Sequence, residues 1–244
     1  MDKIKITVAT IGHMPADFDK NKITDWKSSV FSIDGEIESY SLNTNSDGDD
    51  WEFTDSNLEE VLPACFNGDF LISIVNVPIE LNWYSRRLNN NRVVFTFHEC
   101  KEILNHFNIP LENIIYRVLY AYTLLYKRSG NKIPMTAEHT DFAHDETRGC
   151  LFDMNGLKTD IIYSCHNPII CSHCEEKLKQ EKISNEVISK IKNEIKKPLF
   201  YRLAEFIKKH PITSLIISAI TAIILGAIGS YIATVIYEAS KNVP

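Results

Sequence analysis

Apolar and polar residues alternate along much of the first hundred positions of the chain, and this period of two is typical of β-strands with one buried face. The run DFLISIVNVPIEL is rich in β-branched residues, which indicates a central strand. From His98 onward the apolar positions follow helical spacing. The pattern predicts strands at 3–11, 69–81 and 92–97, a hairpin between 26 and 42 that turns at Asp34-Gly35, and helices at 56–66, 98–107 and 110–127.

Strands with helices interspersed predict a single soluble domain of the α/β or α+β class, in which helices pack on a mixed sheet. We place this domain at residues 1–174, a length that can enclose one sizeable core. The composition is that of a globular protein, with 44% hydrophobic and 24% charged residues. Nucleotide-binding fingerprints and the G-x-S-x-G elbow of hydrolases are absent from the sequence.

The chain between residues 175 and 210 is charged and has a helical pattern. Apolar residues from Leu178 to Ile195 form one narrow stripe, which suits packing on the domain or on a partner helix. After Pro198, apolar residues of the segment PLFYRLAEFIKKH lie opposite its charged residues, as in a helix that lies in a membrane interface. We therefore expect 175–210 to be a basic helical linker that ends in an interfacial amphipathic helix.

The segment Ile212–Tyr237 is strongly apolar and contains no charged residue. About 20 apolar residues suffice for a helix to cross the ~30 Å hydrocarbon core of a bilayer. The sequence therefore predicts one transmembrane helix at 211–237, followed by a short tail at 238–244. On this basis the protein is expected to be a single-pass membrane protein.

Charge is distributed unevenly before this predicted membrane helix. Residues 175–210 hold ten Lys/Arg and six Glu, whereas residues 1–174 carry a net charge of −10. Because the cytoplasmic flanks of membrane helices are enriched in Lys and Arg, the basic flank predicts a cytoplasmic N-terminal domain. The acidity of that domain argues against nucleic acid as a partner, since phosphate binding requires a basic surface.

Small side chains follow one side of the predicted membrane helix. Such residues let transmembrane helices approach closely, so this side is expected to mediate self-association. Small residues are also common in helices that only anchor a protein, and plain anchoring is the alternative. The predicted oligomerisation face consists of Ser218, Ala222, Gly226, Gly229, Ser230 and Ala233.

A segment rich in cysteine and histidine carries the sharpest signal for a site. Cys171 and Cys174 form a C-x2-C pair, which usually supplies half of a tetrahedral zinc site. His144 and Cys150 are the predicted second pair, and a Cys3His site is structural because it leaves no open coordination position. A metal-free cluster of reduced thiols and a catalytic metal are the alternative interpretations. The competing ligands are Cys165, His166 and His173.

The same segment runs from a His to a Cys, then through a short apolar stretch to C-x2-C and a Leu, and this order resembles the C-terminal zinc knuckle of the archaemetzincins. The resemblance covers residues 70–178 and implies a zincin-like scaffold with a structural zinc. In that family of metalloproteases a catalytic zinc is bound by HExxHxxGxxH on a buried helix. The equivalent helix here, ENIIYRVLYAYTLLYKR, contains no histidine, so the resemblance implies a scaffold without its catalytic motif. The residues in that region are Arg117, Tyr120, Ala121 and Tyr126.

No residue is assigned a catalytic role from the sequence, and three weak candidates lie outside the knuckle. His98 and Glu99 begin a helical segment in which His98, Glu102 and His106 share one face. The ends of this row are about 12 Å apart, so its three side chains cannot bind one metal, and the row is better interpreted as a solvated face. His139 is the third candidate, for acid–base or metal chemistry in a loop.

Three functions fit this organisation. The first is a non-enzymatic sensor, effector or interaction module on a membrane, whose domain binds an unknown protein or small molecule; a bacterial stress or phage-defence effector has this layout. The second is a membrane-anchored zinc metallopeptidase with a degenerate site drawn from His98, Glu99, His139 and His144. The third is a scaffold or adaptor that recruits a partner through residues 175–197. Structural zinc is the cofactor that the sequence predicts.

Overall fold

The protein is described by a computed structural model that divides into two units. The first unit, the body, ends at Lys196, and the second, the helical unit, starts at Lys197. The predicted helix break at Pro198 and the end of the predicted tail, 242–244, lie outside the described residues. The described residues are 3–141, 143–145, 147–197 and 199–241.

The body is built on one mixed sheet, which confirms the predicted fold class. In the order of the sheet, β1 lies between β2 and β4, and β6 lies between β4 and β5. All pairs are parallel except β5 with β6, and β3 also pairs with β1. The strands are β1 Ile4–Ile11, β2 Phe31–Ile33, β3 Glu38–Tyr40, β4 Phe70–Val75, β5 Ser85–Leu88 and β6 Arg92–Thr96.

The centre of the sheet is β4, all six residues of which are buried. Successive side chains of a strand point to opposite faces of its sheet. Phe70, Ile72 and Ile74 accordingly join the larger hydrophobic core, whereas Val75 joins a smaller core on the other face. A strand that is covered on both faces reads as a continuous apolar run, and this is why the sequence identifies β4 so clearly.

The predicted hairpin between residues 26 and 42 is wrong. Strands β2 and β3 do not pair with each other, because both run parallel to β1 and follow one another along it. Ile4 is opposite Phe31, and Ala9 is opposite Glu38. Gly35 has a φ of +73°, so the predicted turn position does bend the chain, but the bend does not reverse it. Alternation predicts which face of a strand is buried and does not identify its neighbour.

Helices cover the sheet, and α4 is the most deeply buried of them, with thirteen of its seventeen residues buried. Helix α2 starts at Asp55, one residue before the predicted start at 56, because Thr54 caps it and accepts a hydrogen bond from the Asn57 backbone N–H at 3.3 Å. The helices of the body are α1 Lys20–Thr24, α2 Asp55–Val61, α3 Cys100–His106, α4 Glu112–Arg128, α5 Ile161–His166, α6 Ser172–Gln180 and α7 Asn185–Glu194.

The apolar stripe after residue 174 packs into the body. It belongs to two helices, α6 and α7, which are separated by a turn in which Lys182 has a φ of +66°. Leu178 on α6 and Ile191 on α7 are buried in the larger core. Residues that the sequence analysis assigns to a linker therefore complete the core, and packing on the domain is the alternative that the structure adopts.

The helical unit consists of α8 Leu199–Lys209 and α9 Pro211–Lys241. Proline is favoured in the first turn of a helix because its missing N–H would have no partner there. Within α9, the segment Pro211–Thr234 is long and apolar enough to cross a membrane, and none of its residues is buried. On α8, Leu203, Phe206 and Ile207 are exposed apolar residues.

Candidate metal centre

His144 is held by a backbone pairing with the segment that follows Cys150. The His144 N–H donates to the Phe152 carbonyl at 2.9 Å, and the Met154 N–H donates to the His144 carbonyl at 2.8 Å. Asp153, between these two residues, is opposite His144 in this short parallel bridge. The pairing fixes the backbone of His144 and therefore the position from which its imidazole extends.

Cys150 is held by a second pairing, with the segment that leads into α6. The Leu151 N–H donates to the Ile169 carbonyl at 2.8 Å, and the Ile169 N–H donates to the Gly149 carbonyl at 2.9 Å. Gly149 has a φ of +88°, a conformation that is readily available only to glycine. The turn at Gly149 thus brings Cys150 next to the two cysteines that follow Ile169 in the chain.

Cys171 and Cys174 lie at the start of α6. Cys171 is the residue that caps the helix, and its sulfur accepts a hydrogen bond from the Cys174 backbone N–H at 3.5 Å. This geometry places both sulfurs at the N-terminal end of the helix, with two residues between them in the chain. A C-x2-C pair that wraps a helix start in this way can direct both sulfurs to one point.

The structure brings the four predicted ligands together. One ligand atom from each of His144, Cys150, Cys171 and Cys174 lies within 4.8 Å of all the others. The Cys150 and Cys174 sulfurs are 3.8 Å apart, and the Cys171 sulfur is 3.6 Å from the His144 Nε2. Tetrahedral zinc requires about 3.8 Å between two sulfur ligands and about 3.6 Å between sulfur and nitrogen. The residues therefore fit zinc, and they form a candidate Cys3His site.

Proton sharing in this cluster favours a metal cation. All three cysteines are buried, and Cys150 and Cys174 share a hydrogen bond. That hydrogen bond lowers the pKa of the Cys150 thiol and raises the pKa of the Cys174 thiol, which burial raises further. A divalent cation that binds both sulfurs would displace the thiol protons and neutralise the charge of the thiolates.

The competing ligands do not join the cluster. Cys165 is buried in α5, where burial raises the pKa of its thiol to about 12 and keeps it protonated. His166 is exposed at the end of the same helix. His173 is also exposed, and its ring centroid lies 6.3 Å from that of His144. Among the candidates, geometry thus selects His144 over its two histidine competitors.

The weak catalytic candidates are not brought to the cluster. Glu99 accepts hydrogen bonds from Lys158 at 2.9 Å and from Asn82 at 3.1 Å, while burial lowers the pKa of His98 beside it. His139 is exposed in the loop after α4. Within the described ranges, the Cys3His cluster is the one group of three or more potential ligands close enough to hold a metal. That no catalytic role is assigned to these three residues stays a prediction.

Two residues that support the cluster escaped the sequence analysis. Gly149 provides the turn before Cys150, and a glycine directly before a candidate ligand is a signal that could have identified it. Asp153 contacts the body through its backbone carbonyl, which accepts a hydrogen bond from Arg117 at 2.6 Å. No pattern of residue types in the sequence predicts that contact, because it joins positions 36 residues apart.

The chain is similar to the archaemetzincin from Methanopyrus kandleri, whose crystal structure aligns with 12% sequence identity and a TM-score of 0.42. The alignment covers 74% of this chain and 96% of that chain. The archaemetzincins are also the family that the order of residues in the zinc knuckle resembles. No protein-family model and no curated protein sequence matches the chain. The candidate metal centre itself rests on the geometry of its four side chains.

Proposed function

We propose that this protein is a membrane-anchored, non-enzymatic sensor or effector module whose body is stabilised by a structural zinc. The observation that carries the proposal is the Cys3His cluster, because its four ligands complete a tetrahedral coordination shell. A zinc with four protein ligands has no position for a substrate or an activated water. The metal would therefore act on the fold of the body and not on a bound reactant.

The four ligands come from two parts of the chain that the metal would join. His144 and Cys150 belong to the loop after α4, whereas Cys171 and Cys174 belong to the start of α6. The loop contains little regular structure of its own. A metal bound by all four ligands would link the loop to α6 and would supply much of the stability of the loop. Apparent binding free energies of about 10–16 kcal/mol are typical of structural zinc in small peptides. Metal removal should consequently disorder this loop first.

Membrane anchoring is supported by the way in which α9 satisfies its polar groups. Side-chain hydroxyls that point into lipid need a partner within the helix. Ser214 donates to the His210 carbonyl at 2.9 Å, and Thr221 donates to the Ile217 carbonyl at 2.8 Å. The basic residues near the end of α8, Lys208 and Lys209, precede α9 and favour a cytoplasmic body.

Metal analysis of the purified full-length chain in detergent tests the zinc proposal. We expect one zinc per chain, and we expect Cys171→Ser and Cys150→Ser to lose it because each removes a thiolate ligand. Cys165→Ser is a matched control, since it changes another buried cysteine that is not part of the cluster. Cys65→Ser is a second control at an exposed position.

Several outcomes of this experiment would contradict the proposal. The absence of zinc from the purified wild-type protein would contradict the proposed structural metal. Zinc that survives Cys171→Ser would assign the metal to another site. A second metal whose loss follows His98→Ala, together with peptidase activity that depends on it, would favour the metallopeptidase hypothesis.

The exposed thiol of Cys65 also tests the orientation. A maleimide that cannot cross membranes should leave Cys65 unmodified in intact cells and label it after permeabilisation, if the body is cytoplasmic. The other five cysteines are buried, and Cys65→Ser provides the background signal. Equal labelling before and after permeabilisation would place the body on the outside.

Self-association through α9 is the part of the proposal that concerns the effector role. A Cβ atom added at Gly226 or Gly229 would meet no atom within 4 Å beyond the adjoining residues and backbone of α9 itself, so this side of the helix is uncovered. Gly226→Leu should reduce chemical crosslinking between copies in membranes, whereas Leu225→Ile, on a neighbouring side, should not. Crosslinking that is insensitive to Gly226→Leu would restrict α9 to plain anchoring.

A further inference from the structure

A small chamber lies between α4, the approach to β5 and the loop that carries the metal ligands. Its volume is about 20 Å³, and its lining includes Tyr84, Arg117, Tyr122 and Asp153. A cavity needs about 10–15 Å³ of such volume, with two to four polar partners, to hold one water molecule. The chamber is therefore of the size of a single water.

Two charged residues in the lining are almost completely buried, Arg117 at 3% and Asp153 at 2% exposure. Arg117 places its Nη2 on the Asp153 backbone carbonyl at 2.6 Å, and its guanidinium lies 5.1 Å from the centroid of the Tyr84 ring. The Asp153 carboxylate uses Oδ1 to accept a hydrogen bond from the Asn155 N–H at 3.0 Å. Each of the two side chains thus has one polar atom, Arg117 Nη2 or Asp153 Oδ1, that is already hydrogen-bonded to the backbone.

One further polar atom of each residue has no hydrogen-bond partner among the described residues. They are the Nε of Arg117, which is a donor, and the Oδ2 of Asp153, which is an acceptor. Buried polar atoms without partners are rare and costly, and ordered water commonly satisfies them. An anion in the chamber would be repelled by the carboxylate, and a cation would be repelled by the guanidinium. Water can accept from one atom and donate to the other.

We propose that one ordered water in this chamber bridges Arg117 Nε and Asp153 Oδ2, and that Arg117 thereby acts as a positioning residue for the metal ligand His144. The connection runs through the backbone. Asp153 lies between Phe152 and Met154, whose carbonyl and N–H hold His144 at 2.9 and 2.8 Å. Arg117, anchored in α4, thus fixes the segment against which the histidine is aligned. This part of the inference rests on the proposed zinc site.

A crystal structure of the full-length protein tests the water directly. We expect electron density for one water within about 3.2 Å of both Arg117 Nε and Asp153 Oδ2. Clear density for both side chains without a water between them would overturn the proposal. This measurement does not depend on metal content, so it separates the chamber from the zinc proposal.

Zinc affinity, measured by chelator competition on the full-length chain in detergent, tests the positioning role. Residues that orient metal ligands typically contribute 10–100-fold to affinity, so Arg117→Met should weaken zinc binding by about that factor. Arg117→Lys keeps the charge and a donor, and it should restore part of the affinity. Arg92→Met is the matched control, because Arg92 is also 5% exposed but bonds to Asn89 and Glu59 carbonyls instead.

The two classes of variant separate positioning from general destabilisation. Arg92→Met should lower the melting temperature and leave zinc affinity within about twofold of wild type, since it does not contact the loop of the ligands. Equal zinc affinity in Arg117→Met and wild type would refute the positioning role. Equal losses in Arg117→Met and Arg92→Met would also refute it, because the effect would then follow stability alone.

Discussion

Two helices of this protein, α4 and α9, are apolar nearly all round, and their environments are opposite. In α4, thirteen of seventeen residues are buried in the body, whereas in α9 the segment Pro211–Thr234 has no buried residue. Leu124 on α4 is 0% exposed and Leu225 on α9 is 62% exposed. The same kind of surface is thus covered by protein in one helix and left uncovered in the other.

Length alone does not separate these helices. Seventeen residues of α4 extend about 26 Å, close to the thickness of a bilayer core. The difference lies in the polar groups that α4 buries, two of which bond to other elements of the body. Arg117 donates to Asp153, and the Tyr120 hydroxyl donates to Glu194 at 2.7 Å. A helix with charged groups at its centre and partners for them belongs in a protein core, and α9 has neither.

The largest predicted effect concerns membrane insertion of α9. An arginine at the centre of a membrane helix costs about 2.5–3.5 kcal/mol, so the double variant Ile220→Arg/Ile224→Arg should lose about 5–7 kcal/mol of insertion free energy. Both side chains are exposed on the helix. We expect the variant to leave the membrane pellet after alkaline extraction, while Ile220→Leu/Ile224→Leu remains in it. Retention of the arginine variant in the pellet would mean that α9 does not span the bilayer.

One substitution made in both helices gives the next largest effect. Leu124→Ala should lower the free energy of unfolding of the body by about 2–5 kcal/mol, because it removes buried methyl groups and leaves a cavity. Leu225→Ala should leave that quantity unchanged, since its side chain does not contribute to the core. Chemical denaturation of the full-length chain in detergent measures both. Equal destabilisation by the two variants would show that α9 is covered by the body.

Local pattern predicted the elements that bury apolar side chains, and it failed where long-range pairing decides. The buried run of β4 and the all-apolar α4 are both visible in the sequence, because burial on all sides removes polar positions. The hairpin after Trp26 was predicted wrongly, since its alternation fits pairing with β1 as well as it fits a reversal. Pairing partners depend on contacts between distant residues, which periodicity does not contain.

The candidate metal centre was likewise predictable only in part from the sequence. Its four ligands were predicted because C-x2-C has a spacing that zinc requires, and the structure brings those side chains together. The exclusion of His173, only one residue from Cys174, needed the structure, because the direction of a side chain at a helix start depends on the cap. The contact of Arg117 with Asp153 needed it too, since neither residue belongs to a recognisable spacing.

A smaller effect is expected from the polar partners that α4 has and α9 lacks. Glu194 on α7 accepts hydrogen bonds from Tyr120 and from Ser28, each at 2.7 Å. Burial opposes ionisation of its carboxyl group, but the hydrogen bonds from Ser29, Ser28 and Tyr120 outweigh burial and lower the pKa of Glu194. Glu194→Gln should therefore cost about 1–3 kcal/mol of unfolding free energy at pH 7.

The pH dependence gives this prediction its sign. A carboxyl group with a lowered pKa in the folded state stabilises the protein above its ordinary pKa of 4.5 and loses that contribution as the pH falls through the folded value. The difference between wild type and Glu194→Gln should thus shrink below pH 4.5. Glu186→Gln on the same helix is the control, since Glu186 is paired with Lys190 at the surface. A difference that is constant from pH 7 to pH 3 would contradict the assignment.

The smallest predicted effect concerns one threonine in each helix. It is a stabilisation, whereas the substitutions above destabilise the protein. The Thr123 hydroxyl on α4 is fully buried and has no hydrogen-bond partner among the described residues, whereas Thr221 on α9 donates to the Ile217 carbonyl at 2.8 Å. Because valine has the same shape without the unpaired hydroxyl, Thr123→Val should stabilise the body by about 0.5–1 kcal/mol. Thr221→Val should leave the unfolding of the body unchanged. Destabilisation by Thr123→Val would show that this hydroxyl has a partner in solution, such as a buried water.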